Sequence, residues 1–151
     1  MNGLLDQLLA RLDAGHHGVL VTVQSTQGSA PREAGTWMAV WDDALTGTIG
    51  GGQLEFQAEQ VARACLADGT VIDESRRYPL GPSLGQCCGG VVFLVYRRIG
   101  PNDAAALRTE LRESLNPVAL FGGGHVGAAL ARLLASLPFG VRWIDSRDGV
   151  F

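Results

Sequence analysis

Apolar positions recur along the chain with two different periods, and the period changes at glycine-rich breaks. Leu4, Leu5, Leu8, Leu9 and Leu12 fall on one stripe of an amphipathic helix. GVLVTVQS (18–25) has the Val and Thr content of a strand, and TWMAVW (36–41) and LTGTIG (45–50) read as two more strands around an Asp-Asp turn. The intervening TQGSAPREAG is a loop by its Gly and Pro. QLEFQAEQVARACLADG (53–69) then returns to helical spacing, with Leu54, Ala58, Val61 and Cys65 on one face and Gly69 as its stop. Cys65 on that face reads as a small core residue. TVIDESRRY (70–78) and GVVFLVYRR (90–98) are strands on either side of a cysteine-bearing loop, and 100–115 is a helix with Asn102 as its N-cap.

The texture changes at Asn116–Pro117. PVALF, a glycine turn, an Ala/Leu-rich helix and a second apolar strand ending at Asp145 make a βαβ unit. The expected fold class is therefore α/β, with a mixed α/β domain over 1–115 and the first βαβ unit of a Rossmann-like domain over 116–151. A lone βαβ unit leaves an apolar face uncovered, so the second domain reads as incomplete. Self-association to cover that face is the corresponding expectation.

The whole chain of 151 residues, 46% hydrophobic and 18% charged, has apolar material for one core and part of another. Its net charge of −3, with no basic run beyond Arg76–Arg77 and Arg97–Arg98, argues against nucleic acid as a partner. Asp6, Arg11 and Asp13 interrupt the N-terminal apolar pattern, which excludes a signal peptide or membrane span there and places the protein in the cytoplasm by expectation. Thiols stay reduced in that compartment, and three cysteines cannot form a disulfide framework.

Four segments carry candidate chemistry. Gly122-x-Gly124-x-x-Gly127, directly after a strand and opening a helix, matches the dinucleotide fingerprint. His125 lies in its turn, and Asp145 sits where a carboxylate meets ribose hydroxyls; the unit reads either as a site for NAD(P) or another nucleotide once the domain is completed, or as an inherited Rossmann half with no cofactor site. Gly50, Gly51 and Gly52 join a strand to a helix. They read either as a row of unpaired N–H groups suited to an anion or as a tight turn needing positive φ, and Glu55 reads as a partner of the helix dipole. Ser29-Ala30-Pro31-Arg32 presents an arginine fork for phosphate or carboxylate, or else a solvated loop arginine. Of Arg76 and Arg77 only one can face the site on an alternating strand. His16 and His17 read as solvated loop residues.

GPSLGQCCGG (81–90) is the most unusual of these stretches. Adjacent Cys87 and Cys88 lack the spacing of a zinc or dithiol redox site. Glycine N–H groups and a nearby arginine would favour the thiolate, a soft donor suited to a metal centre or to carrying sulfur as a persulfide. The alternative is two small loop-filling residues.

VTVQSTQGSAPREAGTWMAV, GTIGGGQLEFQAEQVA, PLGPSLGQCCGGVVFLVY and VALFGGGHVGAALARLLASLPFGVRWIDSR together resemble the XdhC/CoxI family of accessory proteins for molybdenum hydroxylases. The resemblance implies an XdhC-type N-terminal domain followed by a Rossmann domain. It further implies a chaperone that binds molybdenum cofactor (molybdopterin), assists its sulfuration and delivers it to a xanthine dehydrogenase-type enzyme, with a cysteine desulfurase as sulfur source. The implied cofactor-binding residues are Ser29, Pro31, Arg32, Gly50, Gly51, Gly52, Gln86, Cys87 and Cys88, with the two thiols as the molybdenum contact. Gly122, Gly124, His125 and Gly127 match the Rossmann turn. The residues alone leave two other readings open, an NAD(P)-dependent oxidoreductase and a non-catalytic interaction subunit.

Overall fold

A computed structural model describes residues 3–69, 75–81, 89–111, 116–135, 137, 139–147 and 149. The chain divides into two compact units, Asn2–Glu110 and a second containing Leu111–Phe151.

The larger unit is built on an antiparallel five-stranded sheet of order β3-β2-β1-β5-β4, from β1 (Gly18–Gln27), β2 (Trp37–Val40), β3 (Leu45–Gly47), β4 (Arg76–Pro79) and β5 (Val91–Ile99). Side chains alternate across the sheet, so Val19, Val21 and Val23 of β1 share a face with Met38, Val40, Leu94 and Tyr96. Helix α2 (Gly52–Asp68) covers that face with Leu54, Ala58, Ala62 and Cys65. Cys65 is buried there, as its spacing predicts. Leu20 points the other way, where α1 (Leu4–Asp13) buries Leu8, Leu9 and Leu12 and α3 (Ala104–Glu110) buries Leu107. Arg11 of α1 lies over the Trp41 ring, 5.5 Å from its centroid, and bonds Asp43 at 2.6 Å.

Several boundaries depart from the sequence reading for local reasons. Gly47 and Gly50 have φ of +82° and +124°, left-handed values that end β3 at Gly47 rather than 50. The strand expected over 70–78 is Arg76–Pro79 where it is described, and 70–74 lie outside the described residues. Asn102 does not cap a helix: it sits inside a 3-10 turn, Pro101–Asp103, and the Asp103 carboxylate accepts the Gly100 N–H at 2.8 Å. The helix that follows ends at Glu110.

The smaller unit is a parallel pair, β6 (Asn116–Phe121) and β7 (Phe139–Ile144), joined by α4 (His125–Leu134). This is the βαβ arrangement that the sequence predicts. Val126, Leu130 and Leu133, spaced i, i+4, i+7 along α4, stay exposed, as does Phe121 at 74%. Among the described residues no helix is long and apolar enough to cross a membrane.

Candidate functional site

In the larger unit the Ser29–Arg32 loop, the triple-glycine turn and Gly90, just before β5, meet at one end of the sheet. β1 runs into the Ser29–Arg32 loop, and the Pro31 ring lies against Gly50: a Cβ added at Gly50 would come within 2.7 Å of Pro31 Cγ and 3.5 Å of Arg32 Cγ. A Cβ at Gly90, the last residue of the GQCCGG stretch, would fall 2.2 Å from the Ser29 carbonyl oxygen and 2.6 Å from that of Gln27. No side chain fits such a gap between backbones. The glycines at 50 and 90 therefore allow the triple-glycine turn to approach the segment at Pro31 and Gly90 to approach it at Ser29.

The triple-glycine turn is more than a row of unpaired donors. Glu55, one turn into α2, folds its carboxylate back over it, and Oε2 accepts the Thr48 hydroxyl at 2.5 Å, the Ile49 N–H at 3.1 Å and the Gly51 N–H at 3.1 Å. Gly50 N–H donates to the Thr48 hydroxyl oxygen at 3.1 Å. The anion at this turn is thus the protein's own carboxylate. Sequence reasoning assigned Glu55 to the helix dipole and missed its three donors; the available signal was a carboxylate one turn into a helix that opens on glycines.

Ser29, Pro31 and Arg32 are exposed, and among the described residues the Arg32 guanidinium has no hydrogen-bonded or ion-paired partner. Gly52 opens α2 immediately after Gly51, its N-cap. Gln86, Cys87 and Cys88 lie outside the described residues. The register resolves the choice between the two strand arginines: Arg76 pairs with Leu94 and shares the α2 face with Tyr78, whereas Arg77 pairs with Phe93 and alternates away. Tyr78 and Tyr96 share a hydrogen bond between hydroxyls at 2.5 Å, and burial together with that bond pushes the Tyr96 hydroxyl well above the usual tyrosine range. His16 and His17 are exposed, as expected. Among the described residues no group of three or more His, Cys, Asp or Glu side chains is placed to hold a metal ion.

In the smaller unit the glycines have separable jobs. Gly122 turns at φ +101°, and its carbonyl accepts the Trp143 indole N–H at 3.0 Å. A Cβ at Gly127 would strike that carbonyl oxygen at 2.0 Å, so this position sets how closely α4 approaches β6. Gly124 caps α4 with open space beside it, and His125 is the first, exposed residue of the helix. Asp145 follows β7 with both oxygens engaged. Oδ2 accepts the Gly123 N–H at 2.5 Å and Arg147 at 2.9 Å, and Oδ1 accepts the Arg147 backbone N–H and Nε, each at 2.9 Å. The Arg147 guanidinium and the Gly123 N–H hold its carboxyl well below the usual carboxylate range.

A five-stranded antiparallel sheet with a parallel βαβ unit after it in the chain defines an α/β protein. Residues 11–78 match the model of the XdhC and CoxI family. A crystal structure from Bacillus halodurans, described as a xanthine dehydrogenase, has the same fold. It aligns with a TM-score of 0.70 at 16% identity, over 97% of this chain and 62% of that one. The chain thus spans 62% of the length of that structure. No curated protein matches the chain.

Proposed function

We propose that the chain is the cofactor-handling part of an accessory protein that binds molybdenum cofactor, assists its sulfuration and delivers it to a xanthine dehydrogenase-type molybdenum hydroxylase, without turning over a metabolite itself. The observation that carries this reading is the closure of the Ser29–Arg32 loop on both Gly50 and Gly90, in a segment that overlaps the family match. It sets Arg32, whose guanidinium is unpartnered among the described residues, beside the turn, in a loop whose Ser29 meets Gly90, the last residue of the stretch whose sequence holds both adjacent thiols.

The described residues fit one part of such a cofactor. Arg32 suits a terminal phosphate through a charge-assisted fork, and Ser29 offers a hydroxyl next to it. The N–H groups of Gly50 and Gly51 are spoken for by Thr48 and Glu55, so the phosphate falls to Arg32 together with the Gly52 N–H at the start of α2. A molybdenum–dithiolene centre would supply the soft metal that a thiolate of Cys87 or Cys88 suits. A cysteine desulfurase as sulfur donor, a homo-oligomer covering the exposed α4 stripe, and a cytoplasmic location complete the proposal.

The test is anaerobic incubation of the protein with molybdenum cofactor, gel filtration, and assay of the protein peak for the oxidised fluorescent pterin. Pterin retained by the wild type and lost from the Cys87→Ser/Cys88→Ser double variant and from Arg32→Gln supports the reading. Absence of pterin from the wild-type peak refutes it for this chain.

A second reading, NAD(P) binding by the smaller unit, draws on the glycine turn at 122–127, whose close helix approach is that of a dinucleotide site. Against it, Asp145 already spends both oxygens on Gly123 and Arg147. A fluorescence titration with NADH and NADPH separates the two: saturable binding favours the nucleotide reading, and a flat titration removes it.

A further inference from the structure

Along α2, away from the three loops, a cleft opens between the helix and the edge strand β4. Gln57, Gln60 and Val61 line one side, and Arg76, Arg77 and Tyr78 the other, around a cavity of about 510 Å³. That volume lies in the range of small-molecule sites, about 300–1,000 Å³. Arg76 pairs with Leu94, four residues beyond Gly90, and Tyr78 with Val92, two beyond it, so at about 3.3 Å per residue the cleft runs from roughly 7 to 13 Å along the sheet from the loop end.

The chemistry of the lining is lopsided. Among the described residues neither Arg76 nor Arg77 has a hydrogen-bonded or ion-paired partner, and Arg76 lies over the Tyr96 ring, 6.0 Å from its centroid. On α2, Glu59 is bound to Arg63 at 2.8 Å, while Asp68, like Arg76, acts electrostatically on the Cys65 thiol. Gln53, Gln57 and Gln60 recur at i, i+4, i+7, which puts neutral carboxamides along one stripe of α2. Val61 and Tyr78 supply apolar and aromatic surface between these polar groups. An uncompensated guanidinium, two carboxamides and a flat apolar wall make a recognition set for an anion with a planar body.

We propose that this cleft binds a small planar anion, its phosphate or carboxylate group held by Arg76 and its body laid against Val61 and Tyr78, with Gln57 and Gln60 hydrogen-bonding its edge. The site is separate from the three-loop site and stands whether or not the cofactor reading holds. Arg77, alternating to the other face, borders the cleft at the open sheet edge and contributes less.

The experiment is an NMR titration of the isotope-labelled full chain with phenyl phosphate, benzoate and inorganic phosphate, following the side-chain amides of Gln57 and Gln60. Phenyl phosphate or benzoate is expected to shift both amides saturably and to bind at least about tenfold more tightly than inorganic phosphate; the tighter of the two identifies the head group. Loss of a charge-assisted fork predicts a weakening of about tenfold or more in Arg76→Gln, against less than about threefold in Arg77→Gln. No saturable shift with any probe overturns the proposal, as does inorganic phosphate binding as tightly as phenyl phosphate, or an unchanged affinity in Arg76→Gln. Should Arg76→Gln fail to fold, Arg76→Lys keeps the charge without the fork: an intermediate loss supports the site, and unchanged affinity overturns it.

Discussion

Glu55 offers the sharpest test of how the triple-glycine turn is held. Its Oε2 collects three donors, the Thr48 hydroxyl and the N–H groups of Ile49 and Gly51. Hydrogen bonds to a charged acceptor contribute about 1.5–3 kcal/mol each, but Glu55 is only half-buried and water replaces part of what is lost. Glu55→Ala is therefore expected to cost about 2–4 kcal/mol in all, which is a fall of roughly 8–16 °C in melting temperature for a domain of this size. The same change bares the N–H groups at the turn to outside anions. Phosphate should then stabilise the variant more than the wild type, by about 1.4 kcal/mol at ten times its dissociation constant. Calorimetric melts of both proteins, with and without phosphate, check both parts. A variant melting within about 2 °C of the wild type would refute the accounting. Equal phosphate effects on the two proteins would show that the carboxylate does not stand in for an external anion.

Three further outcomes follow from other contacts. Gly90→Ala places a methyl 2.2 Å from the Ser29 carbonyl oxygen; the expected cost is about 1–3 kcal/mol by denaturant melting, with weakened pterin retention, and a neutral effect would mean that the loops are not packed together. Tyr78→Phe leaves the buried Tyr96 hydroxyl without its partner, so it should cost about 1–3 kcal/mol, and adding Tyr96→Phe should recover part of the loss; strictly additive losses would contradict the pair. Because the Asp145 carboxyl is held low in the folded state, its contribution is fully present above the ordinary carboxylate pKa of about 3.9 and is lost as pH falls below it. The Trp143 indole signal should accordingly report loosening of the smaller unit below about pH 4 in the wild type, with a flatter profile in Asp145→Asn, and identical profiles would sink the assignment.

Much of the larger unit was legible because its apolar spacing is strong. Leu54, Ala58 and Cys65 at helical intervals, and alternating Val19, Val21 and Val23, define the two surfaces that pack together. The βαβ order of the smaller unit was legible for the same reason, helped by glycines placed directly between strand and helix. Boundaries were less so. Asn102 is a good cap by type, but an Asp one residue later reached the Gly100 N–H and made a 3-10 turn instead. Contacts between segments distant in sequence were the least accessible. Nothing in the spacing of Ser29, Gly50 and Gly90 says that they touch, since a glycine that admits a neighbouring backbone looks in sequence like one that merely turns. The cleft was hidden likewise: Gln57 and Gln60 read as an ordinary solvated face until β4 set Arg76 opposite them.

That ambiguity of glycine changes which residues carry the chemistry at the loop end. Glycine clusters suggest donors waiting for a ligand, yet at Gly50 and Gly90 the missing side chains admit Pro31 and the Ser29 carbonyl, and the N–H groups of Gly50 and Gly51 end on Thr48 and Glu55. The glycines thus shape the loop end, and the proposed cofactor reading rests, among the described residues, on the Ser29 hydroxyl, the Arg32 guanidinium and the Gly52 N–H. Substitutions at 50 or 90 should then loosen folding and binding together, whereas Arg32→Gln, which keeps the Cγ beside Gly50 and removes only an exposed guanidinium, should lower binding with the melt unchanged. A parallel loss of stability in Arg32→Gln would place that side chain in the scaffold rather than in the site.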